Sequence, residues 1–297
     1  MARRMIVLLF SLTILSGCSL LGWWTDPDFI SDLKFKVAVM PFTDAAGVGG
    51  PPVEWNTARL VTEELAKNDR LLVIPFPQVQ AYLAANNISP PLSQETAVMV
   101  GRAMGLNAVV IGSFAEMSQE QKREGWRKWF SFVTERQDYV ITALVGNVVD
   151  VESGTLLGAK VGAGEVRTGQ VEDELMIGNP TSGVPQEKMA ASVDEAIAAL
   201  AENIVQALSL TPWKGLIVQA EAENAVLNAG ADVGLSPGDR FVVYAPGQTI
   251  VNEVGQTYTV PGPVKAKLEA VNVEAHTAVL KIVEGQVQTG DAARHVK

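Results

Sequence analysis

Short apolar runs alternate with stretches of helical period over residues 35–210. The runs predict three buried strands, over Phe35–Phe42, Leu71–Ile74 and Asn107–Phe114. Between these runs, apolar residues recur every three or four positions, which predicts helices. The first helix carries the stripe Trp55, Ala58, Val61 and Leu65, the second spans Pro77–Ala85, and the third runs from an N-cap at Ser93 through Met104 to a stop at Gly105.

A hairpin and a long helix follow. Asp138–Val151 and Leu156–Val166 are strand candidates joined by a polar turn, which favours antiparallel pairing. The second strand contains Gly158, Gly162 and Gly164, which indicate either close backbone approach or bulges. The strongest helical period lies over Glu187–Leu208, with apolar residues on one side and acidic residues on the other.

Beyond Thr211-Pro212 the helical period stops. About five short strand candidates separated by Gly- and Asp-containing turns predict a small closed barrel. They are Leu216–Ala220, Ala225–Asn228, Arg240–Tyr244, Val264–Val273 and Ala278–Val283. We therefore predict an α+β protein with an α/β domain over residues 35–210 and a small all-β barrel over residues 213–297.

The N-terminal residues have the pattern of an export signal. Arg3 and Arg4 precede an apolar run of about 11 residues, too short for a membrane span of about 20. The quartet Leu15-Ser16-Gly17-Cys18 resembles the bacterial lipoprotein box. An ordinary secretion signal with a chance cysteine is the alternative.

The lipoprotein resemblance implies an anchor at Cys18. It implies cleavage after a signal peptide over residues 1–17, a diacylglycerol on the thiol, and an acyl chain such as palmitate on the new amine. Stable anchoring needs more than one chain, and this modification supplies several. Ser19 implies sorting to the outer membrane, because Asp at that place favours inner-membrane retention in enteric lipoproteins. Residues 18–34 would form the lipidated tether.

The amino-acid composition argues against several kinds of binding site and activity. The one Cys cannot form a disulfide within the chain. A structural zinc site usually needs several Cys or His ligands, and the chain has only this Cys and two His, His276 and His295. The net charge of −10 argues against a nucleic-acid surface, which depends on clustered Lys and Arg. Asp44, Glu63 and Glu64 have no recognisable catalytic partner, and the loop over residues 46–50 lacks the ending of a P-loop. We predict no enzyme activity, no metal and no cofactor.

The order of elements over residues 35–210 resembles a periplasmic domain found in three families. They are the curli-assembly (CsgG-like) lipoproteins, the lipoproteins that activate penicillin-binding proteins, and the N-terminal domain of the Tol-system β-propeller protein. The resemblance is carried by KVAVMPF, LLVIP, VGRAMGLNAVVIGSF and YVITALVGNVVDVESGTLL. It implies a fold like the anticodon-binding domain and a role in assembly and binding.

The C-terminal region is similar to the small barrel of the flagellar assembly protein T family. The similarity rests on Asn228-Ala229-Gly230, Val233-Gly234-Leu235, Pro237-Gly238-Asp239 and the later Gly290-Asp291. It implies a barrel like the Src-homology-3 domain and a scaffold part of a large envelope machine. Unlike that family, this chain carries a lipoprotein box.

One basic, aromatic segment interrupts the acidic chain. Lys122–Phe132 contains Arg123, Trp126, Arg127, Lys128 and Trp129. Such residues suit a protein partner, where Trp and Arg are frequent hot spots, or a lipid headgroup layer. The remaining interpretation is an elongated hairpin lying on its own sheet.

Together these patterns predict an outer-membrane-anchored periplasmic lipoprotein acting as a non-catalytic scaffold or adaptor in an envelope machine of secretion, flagellar or cell-wall type. Its partners would be the membrane, through Cys18, and envelope proteins, with self-association left open. The alternative is a subunit of a CsgG-like secretion channel. The segment 125–133 alternates poorly, and residues 167–185 contain consecutive acids, prolines and glycines, so neither fits a lipid-facing strand.

Overall fold

The structure is a computed structural model that describes residues 31–124, 135–169, 184–251 and 257–296. Up to Ser209, the described residues form a six-stranded sheet with helices on both faces. The elements in chain order are β1 Phe35–Val39, β2 Thr43–Asp44, α1 Pro51–Leu65, β3 Leu71–Val73, α2 Phe76–Ala85, α3 Gln94–Ala103, β4 Ala108–Glu124, β5 Glu135–Asp150, β6 Leu156–Gly169 and α4 Gln186–Ser209.

The sheet combines parallel and antiparallel pairing. Its order is β3-β1-β4-β5-β6, with β2 pairing to β4. Strand β1 lies between β3 and β4 and runs parallel to both, each reached through helices, as parallel connections require. β4, β5 and β6 form an antiparallel meander, and β6 lies at the edge of the sheet.

The helices bury the stripes that the periodicity predicts. In α1, Ala58, Val61 and Leu65 are fully buried. In α3, the Ser93 hydroxyl accepts a hydrogen bond from Thr96 N at 3.2 Å, and Gly105 follows the helix with φ of 68°. Helix α4 packs along β6 and β5 and completes the main core. The predictions of these helices are confirmed.

The C-terminal residues form a closed six-stranded barrel of order β12-β13-β8-β7-β14-β9. The strands are β7 Lys214–Ala220, β8 Asn224–Leu227, β9 Arg240–Tyr244, β10 Gln248–Val251, β11 Thr257–Val260, β12 Val264–Val273, β13 Ala278–Gly285 and β14 Ala292–Val296. β10 and β11 form a separate hairpin. A second apolar cluster, including Trp213, Ile217 and Phe241, fills the barrel.

The α+β class with a closed barrel is confirmed, but individual strands differ from those predicted. The sequence predicts about five barrel strands, but β14 closes the barrel as a sixth, pairing with both β7 and β9. β4 also continues to Glu124, ten residues beyond the predicted Asn107–Phe114, because its polar half still pairs with β5. Leu33, within the range predicted as tether, is buried in the barrel cluster.

Among the described residues, every helix is too short or too polar to cross a bilayer.

Candidate functional site

The lipoprotein-box residues lie outside the described part of the chain. This applies to Leu15, Ser16, Gly17, Cys18 and Ser19. Lipidation therefore remains a prediction from the sequence.

The basic, aromatic segment is also largely outside the described residues. Arg123 lies in β4, where its backbone pairs with that of Arg136 in β5. Trp126, Arg127, Lys128 and Trp129 fall between the described ends of these two strands. The three interpretations of this segment stay open.

The two histidines occupy different environments. His276 is 80% exposed, with Nδ1 2.9 Å from a carboxylate oxygen of Asp232, so it lies at the surface. His295 is 8% exposed, and its Nδ1 lies 2.9 Å from Ser31 Oγ. Asp239 lies 3.9 Å from Nε2, beyond hydrogen-bond reach. The Ser31–His295 contact thus joins the start of the described chain to the last barrel strand.

No group of three or more potential metal ligands is present within the described ranges. Glu63 and Glu64 are paired with Arg59 and Lys67 on the exposed side of α1, each at 2.6 Å. These two carboxylates therefore form ion pairs along the surface of their own helix.

Asp44 organises the glycine-containing loop before α1. Its carboxylate accepts hydrogen bonds from the backbone N–H groups of Val48 at 3.1 Å, Gly49 at 2.9 Å and Gly50 at 2.6 Å. Burial raises the pKa of Asp44, but these hydrogen bonds outweigh burial and hold the pKa below its ordinary value. The donors that could bind a phosphate are therefore directed at a carboxylate of the same chain.

A cleft of about 350 Å³ separates the sheet from the barrel. Lys214 spans it, with Nζ 3.0 Å from Asp150 and 2.5 Å from Glu152. On its wall, the Arg102 guanidinium donates to the carbonyl oxygens of Val151 at 3.1 Å and Glu152 at 2.8 Å. Lys214 pairs with both carboxylates and Arg102 with backbone carbonyl oxygens, so the polar groups of the cleft are bonded within the chain and link the sheet to the barrel; we call this region the joint.

The joint is reinforced by polar contacts of β1. Lys36 Nζ lies 3.0 Å from Asp232 in the barrel, and both side chains are largely buried. The Asn107 side chain accepts from Lys36 N at 2.6 Å and donates to the carbonyl oxygen of Lys214. Trp213 Nε1 donates to Lys34 O at 3.0 Å. These contacts hold the sheet and the barrel in a defined relative orientation.

One partly apolar face of the meander points away from α4. In β4, β5 and β6 alternate side chains point to α4, and the intervening side chains form the opposite face. We call its apolar part the open face: Ile111, Ile141, Ala143, Val145, Ala159, Val161 and Ala163. Val161 is 55% exposed, and Ala159 and Ala163 are also exposed.

Helix α3 covers only the beginning of this side of the sheet. There, Gly101 lies close to Val109 and Val151. Farther along the strands, Val145 and Val161 stand opposite each other in adjacent strands, with Val145 partly buried and Val161 exposed. Within the described part of the chain, Ala159, Val161 and Ala163 of the open face are exposed, and its other members are partly buried, with α4 on the opposite side of the sheet.

One end of the open face is acidic. Glu116, Glu120 and Glu165 are exposed and lie in the rows that follow Ser113, Val145 and Val161 along the strands; we call these three the acidic end. Arg167, opposite Tyr139, supplies one positive charge nearby. Among the side chains that the structure describes, this end carries three carboxylates and one guanidinium, and the backbones of Lys122, Arg123 and Arg136 continue β4 and β5 beyond it.

Side chains of α4 cap the free edge of β6. Asn203 Nδ2 donates to Val161 O at 2.9 Å, and Glu195 Oε2 accepts from Glu165 N at 3.1 Å. These bonds satisfy backbone groups that would otherwise be available to an added strand.

The sequence analysis did not predict the open face. The available signal was that β5 carries apolar residues at consecutive positions around Ile141–Val145, which is typical of a strand with both faces apolar. Only the packing shows which of these faces is covered by α4.

No family model and no curated protein matches the chain. Among solved structures, it is similar to lipoprotein GNA1162 from Neisseria meningitidis, with 12% identity over 60% of this chain and 99% of that chain, at a TM-score of 0.35. The hypothetical protein CT253 from Chlamydia trachomatis shows 12% identity over 59% and 96%, at 0.34. The LpoB C-terminal domain from Escherichia coli shows 14% over 45% and 84%, at 0.30. Similarities of this size do not assign a function.

Proposed function

We propose that this protein is an outer-membrane-anchored periplasmic lipoprotein that acts as a non-catalytic scaffold or adaptor. The lipoprotein box at Leu15–Cys18 supports the anchor. The single observation that supports the scaffold role is the open face, with Val161 55% exposed. Contiguous exposed apolar surface on a folded protein is typical of an interaction site.

The position of α4 behind the open face favours a role in docking. Helix α4 contacts the strands from behind, so that the exposed side chains lie on a stiff sheet. The joint between sheet and barrel then fixes where this surface stands relative to the rest of the chain. A scaffold needs this property, because it acts by holding bound neighbours in a defined geometry.

The finer assignments belong to the same proposal. We propose an anticodon-binding-domain-like arrangement for residues 35–210 and a Src-homology-3-like barrel for residues 213–297. The machine would be of secretion, flagellar or cell-wall type. The channel alternative is less well supported, since Glu116, Ser118 and Glu120 give β4 a polar outer row where a lipid-facing strand needs apolar residues.

The anchor is tested by Cys18→Ser in the producing bacterium. We expect the variant to lose the mass of the lipid and to leave the membrane fraction, because no thiol remains to accept the diacylglycerol. Ser16→Ala is the matched control, since it keeps the thiol and a small residue in the box. A Cys18→Ser protein that stays membrane-bound at unchanged mass would contradict the anchor.

The scaffold role is tested by placing a photo-crosslinking amino acid at Val161 of the full-length chain in intact cells. Val283 in β13 is the matched control, since it is a valine of similar exposure, 61% against 55%, on the barrel. We expect a discrete crosslinked protein species from position 161 and none from position 283. Absence of any crosslinked protein at 161 would contradict docking through this face.

A further inference from the structure

The cleft between the sheet and the barrel has the size and the lining of a ligand site. Its volume of about 350 Å³ lies in the range of small-molecule sites, which often form where two parts of a fold meet. We infer that the cleft binds a compact apolar group that carries one carboxylate, and that Arg102 holds the carboxylate. This binding site is independent of the proposed scaffold role.

The first step is the apolar lining, which comes from both parts of the protein. The sheet contributes Phe35, Leu106 and Val151, and the barrel side contributes Pro212, Leu216 and Ala292. An apolar ligand body that contacts both walls is removed from water on two sides, which favours binding.

The second step is the charge of the side chains that line the cleft. Those with a charge are Arg102, Asp150, Glu152 and Lys214. Lys214 pairs with both carboxylates, and Asp150 also accepts hydrogen bonds from Ser153 N at 2.9 Å and Ser153 Oγ at 2.5 Å. Within the described ranges, Arg102 donates to neutral carbonyl oxygens and forms no ion pair with a carboxylate. Arg102 is therefore the cation of the cleft that remains available to an anionic ligand.

Charged side chains just outside the cleft do not change this account. They pair with each other, Lys36 with Asp232 at 3.0 Å and Lys265 with Asp291 at 2.7 Å.

The third step is the geometry of the Arg102 guanidinium. Its Nε and Nη2 donate to the carbonyl oxygens of Val151 and Glu152, so the group is held against the end of β5. Nη1 has no acceptor among the residues that the structure describes, and Nη2 keeps a second hydrogen. These donors form a fork that matches a carboxylate. The chain thus positions the guanidinium and leaves it able to bind an anion.

The fourth step is the polarity of the cleft from mouth to interior. Arg102 and Glu152 are exposed and lie at the mouth, whereas Leu106 and Val151 are buried. A ligand with an apolar body and one charged end matches this arrangement, because its carboxylate stays near water while its body is buried.

The test is isothermal titration calorimetry of the full-length protein purified in detergent, with titrations into micelles alone subtracted. The probes are 4-methylpentanoate and N-acetyl-alanyl-leucine, each compared with its uncharged amide. We expect both acids to bind at millimolar concentrations or below, and the amides to bind about tenfold more weakly or less, because only the acids form charge-assisted hydrogen bonds with Arg102. Tighter binding of the peptide would identify a chain end as the source of the carboxylate, and tighter binding of 4-methylpentanoate would identify a free acid.

Variants test the role of Arg102. Arg102→Gln should weaken binding of the acids by about tenfold or more and leave binding of the amides within about twofold, because only the charge-assisted bonds are lost. Arg102→Lys keeps the charge without the fork and should give an intermediate affinity. Arg59→Gln, the same change on the exposed side of α1, is the matched control and should leave every affinity unchanged.

Glu152→Gln supplies a second variant that keeps Arg102. It removes a like charge at the mouth and frees Lys214, so it should strengthen binding of the acids roughly two- to fivefold. If Arg102→Gln fails to fold, this variant and Arg102→Lys decide the same question.

Equal binding of acids and amides would overturn the inference, as would acid binding that is unchanged in folded Arg102→Gln. Absence of binding by every probe at millimolar concentrations would also overturn it. None of these results affects the crosslinking expected from position 161, so the scaffold role is judged separately.

Discussion

At the scale of single residues, two glycines determine how closely α4 packs on the sheet. A Cβ atom on Gly162 would lie 2.0 Å from Ala196 O, and one on Gly164 would lie 1.9 Å from Ser192 O. Both distances are far inside van der Waals contact with helix backbone. Gly158 differs, since its added Cβ would meet only the flexible end of Lys160, at 3.3 Å. Close approach is therefore confirmed for Gly162 and Gly164.

This difference gives a matched pair of variants. Gly164→Ala should lower the free energy of unfolding by about 3 kcal/mol, because the helix backbone must move away from β6. Gly158→Ala should change it by less than about 1 kcal/mol, since the side chain of Lys160 can rotate away. Chemical denaturation of the two variants measures the difference, and equal losses would contradict the role assigned to Gly164.

At the scale of elements, the loop between β2 and α1 depends on one carboxylate. Helix α1 begins at Pro51 with Gly50 before it, and no side chain caps its first turn. Instead, the Asp44 carboxylate accepts hydrogen bonds from the backbone N–H groups of Val48, Gly49 and Gly50, just before the helix begins. The loop conformation is thus maintained by the ionised form of Asp44.

The lowered pKa of Asp44 predicts a pH dependence. The carboxylate contributes stability that is complete above its unfolded pKa, near 3.8, and is lost as the pH falls through the lower folded pKa. Asp44→Asn should therefore destabilise the protein at pH 7, and the deficit should shrink as the pH falls below about 4. Unfolding midpoints at several pH values measure this, with Asp69→Asn, on an exposed turn, as the control. A deficit that does not vary with pH would contradict the charge-based explanation.

At the scale of the whole molecule, side chains at the joint connect two apolar clusters. Asn107 contacts β1 and β7 at once, and Lys36 reaches Asp232 and the carbonyl oxygen of Asn228. Leu33 and Trp213 extend the barrel cluster towards β1. Sheet and barrel are therefore expected to unfold together.

The substitution Asn107→Ala should weaken the coupling between unfolding of the sheet and unfolding of the barrel. Removing the amide takes away the side-chain partner of Lys36 N and of Lys214 O, so the free energy of unfolding should fall by about 2 kcal/mol. The calorimetric unfolding transition should also become broader or split into two. Asn86→Ala is the control, since the Asn86 side chain bonds only Tyr82 O within its own helix end. If both variants melt in one sharp transition with the same midpoint, the joint does not couple the two parts.

Local patterns in the sequence determined many of the elements. The stripe of α1, the N-cap at Ser93 and the polar turn between β5 and β6 each depend on residues close together in the chain. The spacing of residues is therefore enough to predict them. β14 was not predicted, because Ala292–Val296 is stabilised by β7 and β9, both distant along the chain. The polar half of β4 was not predicted for the same reason, since its pairing with β5 outweighs its low apolar content.

By itself, the sequence determined the lipoprotein-box resemblance at Cys18, the α+β class and the apolar stripes of the helices, because each depends on short-range order along the chain. Only the tertiary structure decided which apolar residues remain uncovered. Ile141 and Leu144 are both apolar in the sequence, yet Leu144 is fully buried on the side of α4 while Ile141 belongs to the open face. The physical reason is that burial depends on which elements pack together across the sheet.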